Sequence, residues 1–284
     1  MYYHVDGDLV GREDATVHVD DRGFRYGDAA FETCRAYGGE VFLWDRHRER
    51  LAETCRLLGM AEAVPEDLQG RIDETLQANG YADAYIRVSV SRGVQTGKLT
   101  PGPATDPTVV VYAKPLPRGG GDGEDCWETN ATVHTVETRR PPESVLPSAA
   151  KTHNYLNGIL ARIELRGTAA DEALMCDTEG AVAEGATSNV FFVEDGTLKT
   201  PAEGALLPGI TRATVLSLAE SEGIPVEEGR YRPADIEAAD EAFLTNTTWE
   251  VRPIATVDGT AVGGGETTRR LRRAYDELVE TRCY

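Results

Sequence analysis

The chain has 284 residues, 40% of them hydrophobic, and sets 48 acidic side chains against 29 basic ones for a formal charge of −19. That length can bury one large core or two medium ones, and no basic stripe exists to neutralise phosphates, which excludes nucleic-acid binding. No run of about 18 apolar residues occurs and the opening MYYHVDGDLV has no basic-then-apolar leader, so a cytoplasmic protein with no membrane segment is expected.

The acids are spread along the chain, which suits a folded, heavily solvated surface better than a disordered tail. With only four lysines (Lys98, Lys114, Lys151, Lys199), the composition has the style of extreme halophiles, whose self-repulsion molar salt screens over about 3 Å. Five cysteines, odd in number and widely spaced, make neither a zinc pattern nor a disulfide framework, and no metal is expected.

In chain order, residues 2–10 alternate around Asp6-Gly7-Asp8 and read as a hairpin. Strands are expected at Phe31–Tyr37 and Val41–Trp44, joined at Gly38-Gly39. A helix follows with Asp45 as its N-cap and an apolar stripe of Leu51, Cys55, Leu58 and Met60. A second helix spans Pro65–Asn79, and strands follow at Ala84–Ser91 and Thr108–Ala113.

PLPRGGGDGED, residues 115–125, lacks apolar periodicity and reads as a linker, drawn at 118–127 between domains at 1–117 and 128–284. The second half offers a strand at Thr129–Val136, a helix from Asn154 to about Arg166, and strands at Glu172–Cys176, Ala181–Ala183 and Ser188–Val193. A helix from Gly209 to about Glu222, a strand at Glu241–Thr245 and a helix over about Glu266–Glu280 complete it. Strands and helices that do not alternate strictly point to an α+β fold.

Four stretches carry chemistry. Lys151, between small residues and an apolar helix start, is a primary amine able to lose its proton when desolvated and to form a Schiff base. Glu184 sits among small residues in AEGATSNV, where it can pair with a protonated ring nitrogen. LPGITR opens a helix at Gly209, whose unpaired N–H groups and dipole favour an anion. TNTT at 245–248 adds hydroxyl and N–H donors at a strand exit.

Together RYGDAAFETCRAYGG, KTHNYL, EGATSNVFFV, LLPGITR and TNTTWEVRPI resemble, in order and over nearly the whole chain, the fold-type IV pyridoxal-phosphate enzymes. That group contains branched-chain aminotransferases, D-amino-acid aminotransferases and aminodeoxychorismate lyases. The resemblance implies two mixed domains with pyridoxal 5'-phosphate between them, the lysine lying in the larger C-terminal one. It makes Lys151 the cofactor lysine and proton shuttle and Glu184 the partner of the ring nitrogen. Arg50, Ile210, Thr211 and Thr247 become phosphate contacts, and Tyr155 the contact of the phenolic oxygen. It also implies a homodimer.

For substrate, Tyr85 and Arg87 resemble the Tyr-x-Arg pair of branched-chain enzymes, while Phe31, Thr248 and Trp249 would shape an apolar pocket. The Arg-x-His pair of D-specific enzymes is absent from the loop after that strand, where Thr96-Gly97-Lys98-Leu99 stands. The expectation is therefore transamination between an apolar L-amino acid and a 2-oxo acid such as 2-oxoglutarate. Ser91-Arg92-Gly93 and the Lys151–Asn154 spacing resemble the lyase and D-specific branches instead. The alternatives are an aminodeoxychorismate lyase, then a D-amino-acid aminotransferase, then a salt-adapted binding domain without catalysis.

Overall fold

The computed structural model describes residues 1–118, 127 and 129–284, so most of the expected linker lies outside the described residues. The chain divides into two compact units, one of Met1–Arg118 with Ala150–Asn154 and Arg282–Tyr284, the other of Gly119–Ala149 with Tyr155–Thr281.

In the first unit, β1 (Tyr2–Val5) and β2 (Asp8–Gly11) form the expected hairpin. Its two loop residues, Asp6 and Gly7, both take positive φ (50° and 101°), the combination that matches the strands' twist. The short helix α1 (Arg22–Tyr26) precedes β3 (Ala29–Tyr37) and β4 (Glu40–Val41), then come α2 (Trp44–Leu57), α3 (Leu68–Asn79), β5 (Ala84–Ser91) and β6 (Val109–Pro115). The strands make one antiparallel sheet in the order β2-β1-β6-β5-β3-β4.

Strand alternation explains its two faces. Ala84, Ile86, Val88 and Val90 of β5 point into a core shared with Leu51, Cys55, Leu68 and Ile72 of the helices, while Tyr85, Arg87 and Ser89 point the other way and stay half-buried. Two local expectations fail at the β4–α2 junction. Leu43 adopts the left-handed conformation (φ 54°) and stands at the helix N-cap, so Trp44 begins the helix instead of ending a strand, and Asp45 lies in the first turn.

The second unit contains β7 (Ala131–Thr135), α4 (Leu156–Glu164), β8 (Glu172–Cys176), β9 (Val182–Gly185), β10 (Asn189–Glu194) and β11 (Thr197–Pro201). It continues through α5 (Ile210–Ser221), β12 (Val226–Gly229), α6 (Pro233–Glu237), β13 (Glu241–Asn246), β14 (Glu250–Val257), β15 (Thr260–Ala261) and α7 (Glu266–Cys283). Its sheet runs β12-β11-β10-β13-β14-β7-β8-β9, with β15 paired to β14. Parallel pairs β11–β12, β14–β7 and β7–β8 sit among antiparallel ones, which is the mixed pairing of an α+β chain. Val190, Phe192, Leu244 and Ile254 centre one core, and Phe191 stacks on Phe243 at 5.1 Å.

Candidate active site

The Lys151 segment belongs to the first unit, not to the C-terminal domain that the sequence suggests for it. The reason is backbone pairing. Ala30 and Thr152 form an antiparallel bridge, the Phe31 N–H donates to the Lys151 carbonyl at 2.9 Å, and the His153 N–H donates to the Ala29 carbonyl at 2.9 Å. The Lys151 N–H is held in turn by the Thr54 hydroxyl of α2 at 3.1 Å. The side chain reaches the Phe31 ring, with Nζ 4.3 Å from its centroid. The Arg87 guanidinium lies over the same ring at 3.8 Å, and Tyr85 neighbours Tyr112 at 6.0 Å. Three of the expected substrate residues, Phe31, Tyr85 and Arg87, therefore share a unit with the lysine.

Beside them is a buried ion pair that the sequence did not announce. Glu32, wholly inaccessible, accepts from Arg50 Nε and Nη2 at 2.7 and 2.8 Å and sits 2.8 Å from His47 Nδ1. Burial would raise its carboxyl, but the Arg50 charge and the two hydrogen-bond donors overcome that and hold it at about 2. Burial also keeps the His47 imidazole below its ordinary value. Arg50 is thus fixed in place by a planar fork, the geometry that suits guanidinium and that lysine cannot copy.

In the second unit Glu184 is the penultimate residue of β9, almost fully buried. One carboxylate oxygen is 2.9 Å from Arg140 Nε, and the other accepts from the Leu207 N–H at 2.9 Å. Asn189 bridges the same region, its Nδ2 donating to the Leu207 carbonyl at 3.1 Å. Gly209 lies against Asn189, where a Cβ would come within 2.0 Å of Oδ1, so any larger residue at the start of α5 would have to displace the Asn189 amide. The first intrahelical bond of α5 runs from Ala213 N–H to the Gly209 carbonyl, which leaves the Ile210 and Thr211 N–H groups ahead of the ladder. Thr211 is buried.

Thr247, Thr248 and Trp249 form a three-residue loop between β13 and β14, closed by Glu250 in the left-handed region at φ 57°. Asn246 organises it. Its Oδ1 accepts from the N–H groups of Thr248 (3.0 Å) and Trp249 (2.6 Å), and its Nδ2 donates to the Thr187 carbonyl at 3.3 Å. The Trp249 ring packs against the core under Arg252, 5.0 Å from the guanidinium, and its carbonyl accepts from Trp127 Nε1 at 3.2 Å. Tyr155 is the N-cap residue of α4, its ring against Gly158.

The sequence reading missed Arg140, Glu32 and His47. Their signals are partnerships made by the fold: no local pattern distinguishes Arg140 from its neighbour Arg139, or Glu32 from any acid in a strand.

Within the second unit the donor set has the chemistry that suits a phosphorylated pyridine aldehyde: a buried carboxylate can pair with a ring nitrogen, a glycine-started helix offers N–H groups to an anion, and the Thr245 hydroxyl is buried with no hydrogen-bond partner among the described residues. The first unit, taken by itself, holds a lysine amine over an aromatic ring, and both sets are of the kind a pyridoxal-phosphate-dependent enzyme uses. The amino-transferase class IV family model matches residues 29–257, and the chain belongs to that family.

It is 36% identical over 286 residues to the branched-chain-amino-acid aminotransferase of Pseudomonas aeruginosa, covering 96% of this chain and 91% of that protein. It is 31% identical over 287 residues to a D-alanine aminotransferase of Listeria monocytogenes, covering 98% and 96%. Its fold matches the crystal structure of a T.th. branched-chain amino acid aminotransferase with pyridoxamine 5'-phosphate at a TM-score of 0.91 and 33% identity, over 99% of this chain and 94% of that one. The protein is accordingly a pyridoxal-phosphate-dependent aminotransferase.

Proposed function

We propose that this enzyme moves an amino group between an apolar, branched-chain-like L-amino acid and a 2-oxo acid such as 2-oxoglutarate. The observation that carries the reading is the face around Lys151, where Phe31 gives an apolar surface and Tyr85 and Arg87 give polar ones. Pyridoxal phosphate supplies the electron sink that stabilises charge as the substrate's Cα–H bond breaks.

The chain does the rest. Lys151 Nζ would carry a proton from the substrate's Cα to the cofactor's C4′ in one half of the exchange and from C4′ to Cα in the other. Glu184, oriented by Arg140 and the Leu207 N–H, keeps a proton on the ring nitrogen. Arg50, the Ile210 and Thr211 N–H groups and the Thr247 hydroxyl hold the phosphate, and Tyr155 binds the phenolic oxygen. Thr248 and Trp249, fixed by Asn246, border the substrate.

The acid excess supports a halophilic protein, and among the described residues no helix is long and apolar enough to cross a membrane. A homodimer is supported by α4. Leu156, Ile159, Leu160 and Ile163, at helical spacing, are 64, 51, 46 and 41% exposed, with Val145 and Leu146 exposed in the loop before them. Sedimentation of Leu160→Glu beside the wild type tests that face.

The function is tested with protein purified in concentrated KCl. L-leucine and 2-oxoglutarate should give 4-methyl-2-oxopentanoate and glutamate, with a change in the cofactor's absorbance. Release of pyruvate and 4-aminobenzoate from aminodeoxychorismate, or turnover of D-alanine but not L-leucine, would refute it.

A further inference from the structure

His153 is two residues beyond Lys151 on the segment paired to β3, and in extended backbone residues i and i+2 share a face. Both side chains accordingly meet Phe31. The His153 ring stands edge-on to it at 5.8 Å, Lys151 Nζ is 4.3 Å from its centroid, and Arg87 lies over it at 3.8 Å. Ser89, opposite Phe31 across the β3–β5 ladder, has its hydroxyl 3.1 Å from His153 Nε2. Burial first, and the Arg87 charge second, push the imidazole down to about 4 against a small opposing pull from Asp21, so it is neutral at ordinary pH.

Under the transamination proposed above, on which this inference rests, one pocket must accept both an apolar side chain and one ending in carboxylate. A third cation beside Lys151 and Arg87 would be repelled by both and stranded when the apolar substrate is bound. An apolar residue there would leave the carboxylate one group fewer to bond. A neutral imidazole with one nitrogen already satisfied by Ser89 suits both occupants.

We propose that His153 is a specificity-determining residue: with the Ser89 hydroxyl it forms a neutral hydrogen-bonding edge beside Arg87 that receives the second carboxylate of a dicarboxylic substrate, while Phe31 takes the apolar side chain. It acts on substrate choice and not on the cofactor.

The test is His153→Leu and His153→Gln in the holoenzyme, with KM for 2-oxoglutarate, L-glutamate and L-leucine, and calorimetric binding of glutarate and 4-methylpentanoate as unreactive probes. His153→Leu should raise KM for the dicarboxylates and weaken glutarate about tenfold, the usual effect of losing one hydrogen bond to a charged group. L-leucine and 4-methylpentanoate should stay within about twofold, and His153→Gln should recover part of the loss. If His153→Leu does not fold, His153→Asn, too short to reach Ser89 as the imidazole does, is expected to shift the ratio in the same direction. Equal change for both substrate types, or none for either, overturns the inference. Wild-type enzyme that fails to transaminate L-leucine would instead overturn the reading beneath it.

Discussion

Replacing Arg50 by glutamine would leave Glu32 inside the first unit with its charge and only His47 to face it. The native pair is a close fork at 2.7 and 2.8 Å, Glu32 wholly buried and Arg50 about nine-tenths so. Two routes to the magnitude agree. Removing one partner of a buried pair costs about 3–5 kcal/mol. Independently, a carboxyl held at about 2 against an ordinary 4.5 corresponds to roughly 3 kcal/mol at neutral pH, by the linkage between proton affinity and stability.

The sign follows from the depressed native value. The unfolded chain binds the proton more readily, so the contribution is complete above about pH 4.5 and is lost as pH falls towards 2. Urea unfolding of wild type and Arg50→Gln at one fixed KCl concentration should show a gap of about 3 kcal/mol at pH 7 that narrows below pH 4.5. A gap under about 1 kcal/mol, or one that does not close in acid, refutes the reasoning.

Arg140→Met should weaken pyridoxal phosphate about tenfold in equilibrium dialysis, because Glu184 loses the charged partner that orients it. Gly209→Ala forces a Cβ against Asn189 Oδ1 and should cost about 1–3 kcal/mol in urea unfolding while also weakening the cofactor, since the start of α5 shifts. His153, held at about 4 against an ordinary 6.5, is neutral in the fold while the unfolded chain takes up a proton. Stability should therefore fall as pH drops from about 6.5 to 4, and thermal melts of His153→Leu should be flatter in that window.

Elements whose information is local were legible in the sequence. β5 and β8 fall on Ala84–Ser91 and Glu172–Cys176 as expected, because side-chain alternation in β5 and an apolar run in β8, each bounded by turn residues, define them without help from elsewhere. The α5 start was marked by Pro208-Gly209, a signal contained in two residues. β11 and β12 were not legible. Each is short, and their parallel pairing depends on α5 returning the chain to the sheet. Leu43 in the left-handed region was equally hidden, since nothing in a leucine's chemistry asks for it. Lys151 and Glu184 are singled out by their company in the sequence, but the groups that hold them, Thr54 and Arg140, are brought there by folding.

The bridge between Ala30 and Thr152 also bears on how the chain is made. Lys151 binds Thr54, 97 positions earlier, so β3 leaves the ribosome well before the segment that covers its first residues. At a synthesis rate of about 5–20 residues per second, that edge waits several seconds as an exposed pairing surface. The dense negative charge of the nascent chain offers protection during the delay, since like-charged chains repel before their edges meet. The acid that gives the finished protein its charge of −19 would, on this view, also shield the half-built one.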